Sequence, residues 1–406
     1  MRNRIFISCL AVLGLGASAA MANGLTSMES LGKSIFFDQN LSLNGDQACA
    51  ACHSPETGFT GPLSDINAHG AVYEGSDPGH FGNRKPPSAA YATQSPILHT
   101  EGGKKHPDFV GGNFWNGRAT GEKLGNPAAD QAQFPFLNPL EQALGSPDDV
   151  VERVCSGGYA ALFEEVWGAG ACDGNVSLDY DRIALSIAAY EASPEVNAFT
   201  SKYDYYLKGM AELTAEEDRG LKLFKGKGKC SHCHVLNKGK EDEPLFTDYT
   251  YDNLGVPRNP ENPFYTQDVI YNPLGYAWID LGLGEFLALH MEYESFAPEN
   301  YGKQKVPTLR NVDKRPSVGF VKAYTHNGYF KSLKSVVHFY NTRDVLPRCE
   351  DNMTTDADAT TQNCWPAPEV AANVNTTELG DLHLTDEQED EIVAFLKTLS
   401  DGYELP

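Results

Sequence analysis

Short amphipathic segments, separated by long stretches without helical or strand periodicity, make up most of the chain. Near its end, apolar residues recur at helical spacing, at Ile392, Val393, Phe395, Leu396 and Leu399. A second helical stretch extends from Asp181 to Ala192. Two capping boxes, whose side chains satisfy the first free amides of a helix, predict helix starts at Thr214-Ala215-Glu216-Glu217 and Thr385-Asp386-Glu387-Gln388.

The stretches between these helices are rich in Gly, Pro, Asn and Asp, most of all from Gly61 to Gly112 and from Lys238 to Pro263. Such a composition is typical of loops and turns. The expected fold class is therefore all-α, with long loops and little strand. Apolar residues make up 41% of the 406 residues, which is enough for two domains with separate cores.

A Cys-x-x-Cys-His motif occurs twice, as Cys49-Ala50-Ala51-Cys52-His53 and as Cys230-Ser231-His232-Cys233-His234. Two thiols at this spacing can add to the two vinyl groups of one porphyrin, and the adjacent His then lies under the iron. Half of a zinc site or a redox dithiol would explain a single Cys-x-x-Cys pair. Two copies, each followed by His, favour two covalently bound haem c groups instead.

Each motif follows a similar segment, Gly32-Lys33-Ser34-Ile35-Phe36 before the first and Gly220-Leu221-Lys222-Leu223-Phe224 before the second. Both segments are predicted to be short helices, each with an apolar Ile-Phe or Leu-Phe pair directed toward a haem. The closing helix is expected to pack over the second of them. The repeat predicts two cytochrome c-like haem domains, residues 23–200 and residues 201–406, with the boundary near Ser201.

The first 22 residues have the features of a cleavable signal peptide. Arg2 and Arg4 precede an apolar run from Ile5 to about Ala17, and Ala20-Met21-Ala22 has the small-x-small pattern of a cleavage site. The run is too short for a membrane span. Residues 1–22 are therefore predicted to be removed on export, together with Cys9, and the periplasm is the expected location.

Four cysteines lie outside the signal peptide and the haem motifs, and they form two sequence-local pairs, Cys155 with Cys172 and Cys349 with Cys364. An oxidising compartment would allow both disulfides, each worth about 3 kcal/mol on the chain-entropy model. Removal of Arg2 and Arg4 would change the formal net charge from -23 to -25. Nucleic acid and anionic membranes are therefore poor partners, whereas a basic electron donor would be attracted.

The sixth position of each iron separates an electron carrier from an enzyme. A carrier fills both positions with Met or His, whereas a peroxidase leaves one open and places an acid-base group beside it. Glu141, in the run Phe134-Pro135-Phe136-Leu137-Asn138-Pro139-Leu140-Glu141, is the candidate for this group. From the residues alone, a Glu after Asn-Pro is also typical of the first turn of a helix.

Over essentially its whole mature length the chain resembles the bacterial di-haem cytochrome c peroxidases and their relative MauG. The resemblance is carried by both haem motifs and by the spacing of Gln131, Pro135 and Glu141. It is also carried by three runs, Phe114-Trp115-Asn116-Gly117-Arg118, Val306-Pro307-Thr308-Leu309-Arg310-Asn311 and Tyr324-Thr325-His326-Asn327-Gly328.

This resemblance implies roles for individual residues. His53 would bind the iron of the peroxidatic haem in the N-terminal domain, Glu141 would be its acid-base catalyst, and Gln131 and Pro135 would line the pocket. Trp115 would pass electrons between the haems, although it could also be an ordinary core residue. His234 would bind the iron of the electron-transfer haem in the C-terminal domain.

The sixth ligand of the second haem departs from the classical pattern. The classical peroxidases have a Met fourteen residues after the His of the His-Asn-Gly run, and here that position is Tyr340, as in MauG. A phenolate ligand would lower the potential of this haem. Met291 is the nearest rival but lies outside the expected register, and Tyr340 could also be simply packed.

The resemblance leaves three smaller points open. His69 and His80 lie where the classical enzymes have a loop His that blocks the peroxidatic iron. The family's bridging calcium would fall near the carbonyls of Val321 and Ala323, but the Asn that also binds it corresponds to Lys85 or nearby Asn83. Where MauG has a surface Trp used to oxidise its partner, this chain has Gly228.

Three functions remain in competition. The first is a periplasmic peroxidase that reduces H2O2 to water with electrons from a small cytochrome or copper protein, relayed through the second haem. The second is a MauG-like enzyme that uses H2O2 to oxidise Trp or Tyr side chains of a partner protein. The third is a non-catalytic di-haem electron carrier.

Overall fold

The computed structural model describes residues 24–103, 105–236 and 243–406. The signal peptide predicted over residues 1–22, with Cys9, lies outside the described residues. The α-helices are α1 (Ser27–Phe36), α2 (Cys49–Cys52), α3 (Ser64–Ala68), α4 (Pro127–Ala132), α5 (Phe134–Leu137), α6 (Pro147–Ser156), α7 (Ala160–Trp167), α8 (Val176–Glu191), α9 (Lys202–Leu207), α10 (Ala215–Lys225), α11 (Leu283–Ala288), α12 (Leu333–Thr342), α13 (Asp356–Gln362) and α14 (Asp386–Lys397).

Strand is scarce in the described residues. Two antiparallel pairs are present, β1 (His99–Gly103) with β2 (His106–Val110), and β3 (Tyr251–Asp252) with β4 (Gln304–Lys305). Short 3-10 turns connect many of the helices, at Gln39–Leu41, Pro55–Thr57, Ala92–Gln94, Cys230–His232, Pro263–Thr266, Gly275–Ala277 and Glu294–Asn300. The prediction of a mostly helical chain with long loops and few strands is confirmed.

The two predicted helices before the haem motifs are α1 and α10, and each packs against a later helix, α1 on α8 and α10 on α14. Both contacts depend on a glycine. A Cβ at Gly32 would lie 1.8 Å from the Ser186 carbonyl oxygen, and a Cβ at Gly220 would lie 1.9 Å from the Glu391 carbonyl oxygen. The two halves therefore use the same close helix crossing, and the closing helix packs where the sequence predicted.

The start of α8 differs from the prediction, which placed the helix from Asp181. It begins five residues earlier, at Val176, because the side chain of Asn175 accepts a hydrogen bond from the Leu178 amide and caps the first turn. Asp179 and Tyr180 in this added turn are buried. The sequence pattern missed the turn since Asp179 is a polar residue on a buried face.

Two large hydrophobic clusters form the interior. The first draws almost all its buried residues from positions 25–196 and adds Leu245 from further along the chain. The second draws its buried residues from positions 203–399. The change from one cluster to the other coincides with the boundary expected near Ser201, while the division into two cytochrome c-like domains stays a prediction.

Both predicted disulfides are present, between Cys155 and Cys172 and between Cys349 and Cys364. The first joins the end of α6 to the loop after α7. The second closes a loop that contains α13. Within the described residues, the cysteines of the two haem motifs are the free thiols.

None of the helices in the described ranges is both long enough and apolar enough to cross a bilayer.

The glycine crossings lead to a stability prediction. We expect Gly220→Ala to lower the free energy of unfolding of the holoprotein by about 1–3 kcal/mol, because the added methyl group overlaps the Glu391 carbonyl oxygen. Thermal unfolding followed by circular dichroism measures the change. Gly319→Ala is the matched control, since a Cβ there meets nothing within 4 Å, and its effect should stay within about 0.5 kcal/mol. Equal stability of the two variants would contradict the role of the glycine.

Candidate functional site

The first Cys-x-x-Cys-His motif forms one wall of a deep cavity. Cys49 and Cys52 are the first and last residues of α2, His53 follows, and all three line the cavity. Its volume is about 1250 Å³, counting the space open to solvent. The structure brings the other predicted residues of the peroxidatic site to the same cavity, namely Trp115, Gln131, Pro135 and Glu141.

The imidazole of His53 is held in one orientation. Its Nδ1 lies 3.1 Å from the Phe59 carbonyl oxygen, which can only accept, so Nδ1 carries the hydrogen and Nε2 keeps its lone pair. Burial lowers the pKa of His53 to about 4, so the ring is neutral near pH 7. A neutral imidazole whose second nitrogen donates to a carbonyl is the form that binds a metal.

The second motif repeats this arrangement in another cavity. The Nδ1 of His234 donates to the Phe246 carbonyl oxygen at 2.9 Å, and burial again lowers the pKa of the histidine. Phe59 and Phe246 both have left-handed backbones, with φ of 59° and 53°. Cys230, Cys233, His234 and Tyr340 line this cavity of about 1410 Å³, again counting the space open to solvent.

Both cavities suit a flat apolar macrocycle held at one edge. Burial raises the pKa of Cys49 and of Cys230 to about 12 each, so both thiols are protonated. Apolar side chains line the remaining walls, including Phe36 and Ile187 in the first cavity, and Val256, Leu309, Val337, Ile392 and Leu396 in the second. Two thiols and one neutral imidazole per cavity fit haem c.

Glu141 faces the first cavity from the loop after α5. Burial raises the pKa of its carboxyl, while the positive charge of Arg118 and a hydrogen bond from Asn138 oppose this shift. Arg118 lines the same cavity, and its guanidinium lies 3.5 Å from the centre of the Phe114 ring. Burial and the charge of Arg84 lower the pKa of Arg118 to about 10, so it remains charged at neutral pH. No role was predicted for Arg118 from the sequence, although it belongs to the run Phe114-Trp115-Asn116-Gly117-Arg118.

Trp115 lies between the two cavities and lines both. Its indole Nε1 donates to the Lys85 carbonyl oxygen at 2.8 Å, and its own carbonyl oxygen accepts from the Lys305 amide at 2.8 Å. Trp115 is only 8% exposed. The indole is therefore fixed by one segment from each half of the chain.

A second internal repeat, not predicted from the sequence, surrounds Trp115. Lys85-Pro86-Pro87-Ser88 corresponds to Lys305-Val306-Pro307-Thr308, and Phe114-Trp115-Asn116-Gly117 corresponds to Thr325-His326-Asn327-Gly328. Bridges between Asn113 and Ala119, and between Tyr324 and Phe330, close the same turn in each copy. Lining up the two halves of the sequence by their haem motifs would have exposed this signal.

The repeat places Trp115 and His326 at equivalent positions, and their ring centroids are 6.5 Å apart. Lys85 and Lys305 are also equivalent; Lys85 is buried and Lys305 is half-buried. Burial lowers the pKa of Lys85 to about 8 and that of Lys305 to about 7. The Lys305 ammonium donates to the Ser95 hydroxyl at 2.6 Å and to the Gly112 carbonyl oxygen.

The two loop histidines His69 and His80 lie outside the first cavity, and the alternative ligand Met291 lies outside the second. His69 is exposed and its Nδ1 contacts the Asp65 carbonyl oxygen at 2.8 Å. The ring of His80 packs on Tyr271, with centroids 4.7 Å apart. Neither His69 nor His80 lines the first cavity. Met291 is 93% exposed and does not line the second cavity, whereas Tyr340 does.

The residues around the expected calcium position do not favour a divalent cation. The Val321 carbonyl oxygen accepts a hydrogen bond from the Asn67 side chain at 3.2 Å. Between Val321 and Ala323, the buried Lys322 ammonium donates to the carbonyl oxygens of Thr57, Asn311 and Lys314, at 2.9, 2.7 and 3.0 Å. Burial first, and then the charge of Lys85, lower the pKa of Lys322, so two ammonium groups lie near this point. The Lys322 side chain therefore already occupies three carbonyl oxygens beside this point, which does not suit a calcium ion.

Comparison with known proteins finds di-haem peroxidases and MauG proteins among the relatives. A family model described as di-haem cytochrome c peroxidase matches residues 26–212. The chain is 33% identical to the methylamine utilization protein MauG of Paracoccus denitrificans, covering 97% of this chain and 95% of that protein. It is 29% identical to cytochrome c551 peroxidase of Nitrosomonas europaea, covering 76% and 71%. Among solved structures, the diheme peroxidase BthA from Burkholderia thailandensis matches with a TM-score of 0.73 and 30% identity, covering 92% and 86%.

The free thiols in the two cavities lead to a prediction about attachment. We expect the Cys49→Ala, Cys52→Ala double variant to lose one covalently held haem, because these are the thiols beside His53, while the second haem stays attached. Mass spectrometry of the denatured protein counts the attached groups. The Cys155→Ala, Cys172→Ala double variant removes a disulfide instead and should retain both haems. Two attached haems in the first variant would refute the assignment.

Proposed function

The chain belongs to the di-haem cytochrome c peroxidase family, which includes MauG, and from this premise we propose that it reduces hydrogen peroxide to water at the His53 site. Electrons would be relayed through the His234 site. The supporting observation is that Glu141 shares the first cavity with His53. Among the described residues that line this cavity, His53 is the one histidine and no methionine is present.

The proposed reaction consumes two electrons and two protons for each peroxide and yields two waters. A haem held by His53 would supply the iron that binds peroxide and exchanges electrons with it. Glu141 would take the first proton of peroxide on a carboxylate oxygen and return it to the departing oxygen. Its environment suits both steps, since burial favours the neutral carboxyl and Arg118 favours the carboxylate.

Trp115 is proposed to connect the two sites. Its indole lines both cavities and is hydrogen-bonded to Lys85, so its position relative to each cavity is fixed. An electron arriving at the His234 site would reach the His53 site through this side chain. Residues 23–200 would then form the peroxidatic haem c domain and residues 201–406 the electron-transfer haem c domain.

Tyr340 is proposed as the second axial ligand at the His234 site. It lies on α12 and lines the cavity that contains Cys230, Cys233 and His234. Burial raises the pKa of its phenol, so the neutral form is the stable one without a nearby cation. A metal ion would reverse this preference.

The setting proposed for the protein is the periplasm, after removal of residues 1–22. Two disulfides favour an oxidising compartment. The formal net charge of -23 favours a donor with a basic patch, and a small cytochrome or copper protein is the proposed donor. Hydrogen peroxide is the proposed oxidant.

A MauG-like oxidation of a partner's Trp or Tyr side chains is the second candidate. It is favoured by Tyr340 in the second cavity and by 33% identity to a MauG protein. Gly228 stands against it, because glycine has no side chain through which an oxidising equivalent could leave at this position. A Cβ there would lie 3.0 Å from the Leu223 carbonyl oxygen and 3.1 Å from Ile392, so a larger residue does not fit without a shift. Peroxide turnover with a small reduced cytochrome favours the first candidate, and an oxidative mass shift in a partner protein favours the second.

The role of Glu141 leads to a kinetic prediction. We expect Glu141→Gln to lower peroxide turnover about 10²- to 10⁴-fold, because an amide cannot carry the proton. The reduced forms of both the natural protein and the variant should bind carbon monoxide at one haem only, which optical titration measures. Glu152→Gln on α6, an exposed carboxylate, is the matched control and should retain full turnover. Full turnover by Glu141→Gln would refute the role, and two haems inert to carbon monoxide would favour the non-catalytic carrier.

The ligand assignment leads to a spectroscopic prediction. We expect Tyr340→Phe to alter the low-spin absorption spectrum and to raise the potential of that haem, because an anionic phenolate stabilises the oxidised iron. Optical and redox titrations of the holoprotein test this. Tyr301→Phe is the control, since Tyr301 lines neither cavity. A Tyr340→Phe spectrum identical to that of the natural protein would rule out ligation.

A further inference from the structure

A continuous series of side chains runs from Trp115, through the wall of the second cavity, to the surface. The first member is His326, whose ring centroid is 6.5 Å from that of Trp115. The Nε2 of His326 is buried without a hydrogen-bond partner and lies 3.8 Å from the Glu369 carboxylate and 3.9 Å from that of Asp280. His326 and Glu369 both belong to the wall of the second cavity.

The next member is Tyr265, which is 2% exposed. Its hydroxyl donates to the other oxygen of the Glu369 carboxylate at 3.4 Å. Its ring stacks on that of Tyr276, with centroids 6.0 Å apart and planes inclined by 24°. The ring of Trp278 also lies 6.0 Å from that of Tyr265.

The series ends at the surface. Tyr276 is 59% exposed, and it belongs to a loop that also exposes Val269, Ile270 and Leu274. Arg258 fixes this end by donating to the Tyr276 carbonyl oxygen at 2.6 Å and to the Trp278 carbonyl oxygen. Its guanidinium lies 4.5 Å from the centre of the Tyr265 ring.

We propose that Tyr265, with Tyr276 and Trp278, forms a second route, separate from the one through the His234 site, by which electrons from outside the protein reach oxidised Trp115. This inference rests on the proposed peroxidase function, because hydrogen peroxide is the oxidant that removes the electrons. Glu369 is a positioning residue on this route, since it accepts the Tyr265 hydroxyl and lies beside His326. The exposed face of Tyr276 is then the point at which a one-electron donor acts.

The steps balance for each electron. Oxidised Trp115 takes one electron from Tyr265, and the phenolic proton of Tyr265 moves to Glu369, leaving a neutral tyrosyl radical. Tyr276 or Trp278 then gives one electron to that radical, and Glu369 returns the proton. An external one-electron reductant restores the surface residue. Two such transfers match the two electrons that each peroxide consumes.

The charges around Tyr265 suit a proton that leaves together with the electron. Burial and the Glu369 charge raise the pKa of Tyr265, so the phenol keeps its proton until it is oxidised. The Arg258 cation over the ring opposes a positively charged radical but not a neutral one. Arg258 Nε also lies 3.8 Å from the Glu369 carboxylate, so the same arginine contacts both Tyr265 and the carboxylate that accepts its proton.

A second aromatic series offers a competing route and a matched control. Tyr203 lies 5.6 Å from Phe246 and stacks on the partly exposed Tyr206, with centroids 5.8 Å apart. This series begins at Phe246, whose carbonyl holds His234. A phenyl ring is much harder to oxidise than a phenol or an indole, so this route is disfavoured.

The test treats the holoprotein with hydrogen peroxide in the absence of a donor and maps oxidised side chains by peptide mass spectrometry. Oxidation is expected at Tyr276 and Trp278 in the natural protein. It should be lost in Tyr265→Phe, which keeps the ring but cannot form a tyrosyl radical, and it should persist in Tyr206→Phe. Met291, at 93% exposure, reports direct attack by peroxide and should be oxidised equally in all three proteins.

Each other outcome has a definite meaning. Equal oxidation of Tyr276 and Trp278 in Tyr265→Phe would overturn the route, because it would show direct attack at the surface. Oxidation centred on Tyr206 would also overturn it in favour of the competing series. Peroxide consumption is measured in the same samples. If the natural protein consumes no peroxide, the proposed peroxidase function fails, and the route that rests on it fails as well.

Discussion

The hydrogen bonds of Trp115 are the constraint on which the rest of the site depends. Its indole donates to Lys85 in the first half of the chain, and its carbonyl oxygen accepts from Lys305 in the second. The two cavities meet at this side chain, so any change in how the halves pack would move the indole relative to both. A single residue thereby couples the packing of the fold to the separation of the two sites.

Buried lysines strengthen the same junction in an unusual way. Lys322 and Lys305 donate mainly to carbonyl oxygens and to a hydroxyl, and carboxylates do not neutralise them directly. Burying an ammonium is costly, and each such group must satisfy its donors to remain inside. Their low pKa values follow from this cost. Lys322 thus holds three backbone carbonyl oxygens at fixed positions, and Lys305 holds one backbone carbonyl oxygen and one hydroxyl, so both lysines stiffen the junction.

The sequence predicts best what is local. Capping boxes, the Cys-x-x-Cys-His spacing and two cysteine pairs each involve residues close together in the chain, and the corresponding helices and disulfides are present. The contacts of His326 are different, because Glu369 and Asp280 come from loops without periodicity, 43 and 46 residues away. Their meeting is set by tertiary packing, which propensity and spacing do not encode. The turn around Trp115 is an intermediate case. Its contacts are not local, but its second copy, around His326, can be found in the sequence by aligning the two halves.

One local structure used twice explains how a single chain can contain two unlike sites. Each half supplies a histidine whose Nδ1 is fixed by a phenylalanine carbonyl, and each supplies a turn closed by a short bridge. The halves differ in the side chains that these two repeated local structures carry. At the tip of the turn one half has Trp115 and the other has His326. In the wall of the cavity, the half with His53 has the carboxyl of Glu141 and the half with His234 has the phenol of Tyr340. Because the two local structures are alike, the difference between the sites lies in the side chains that they carry.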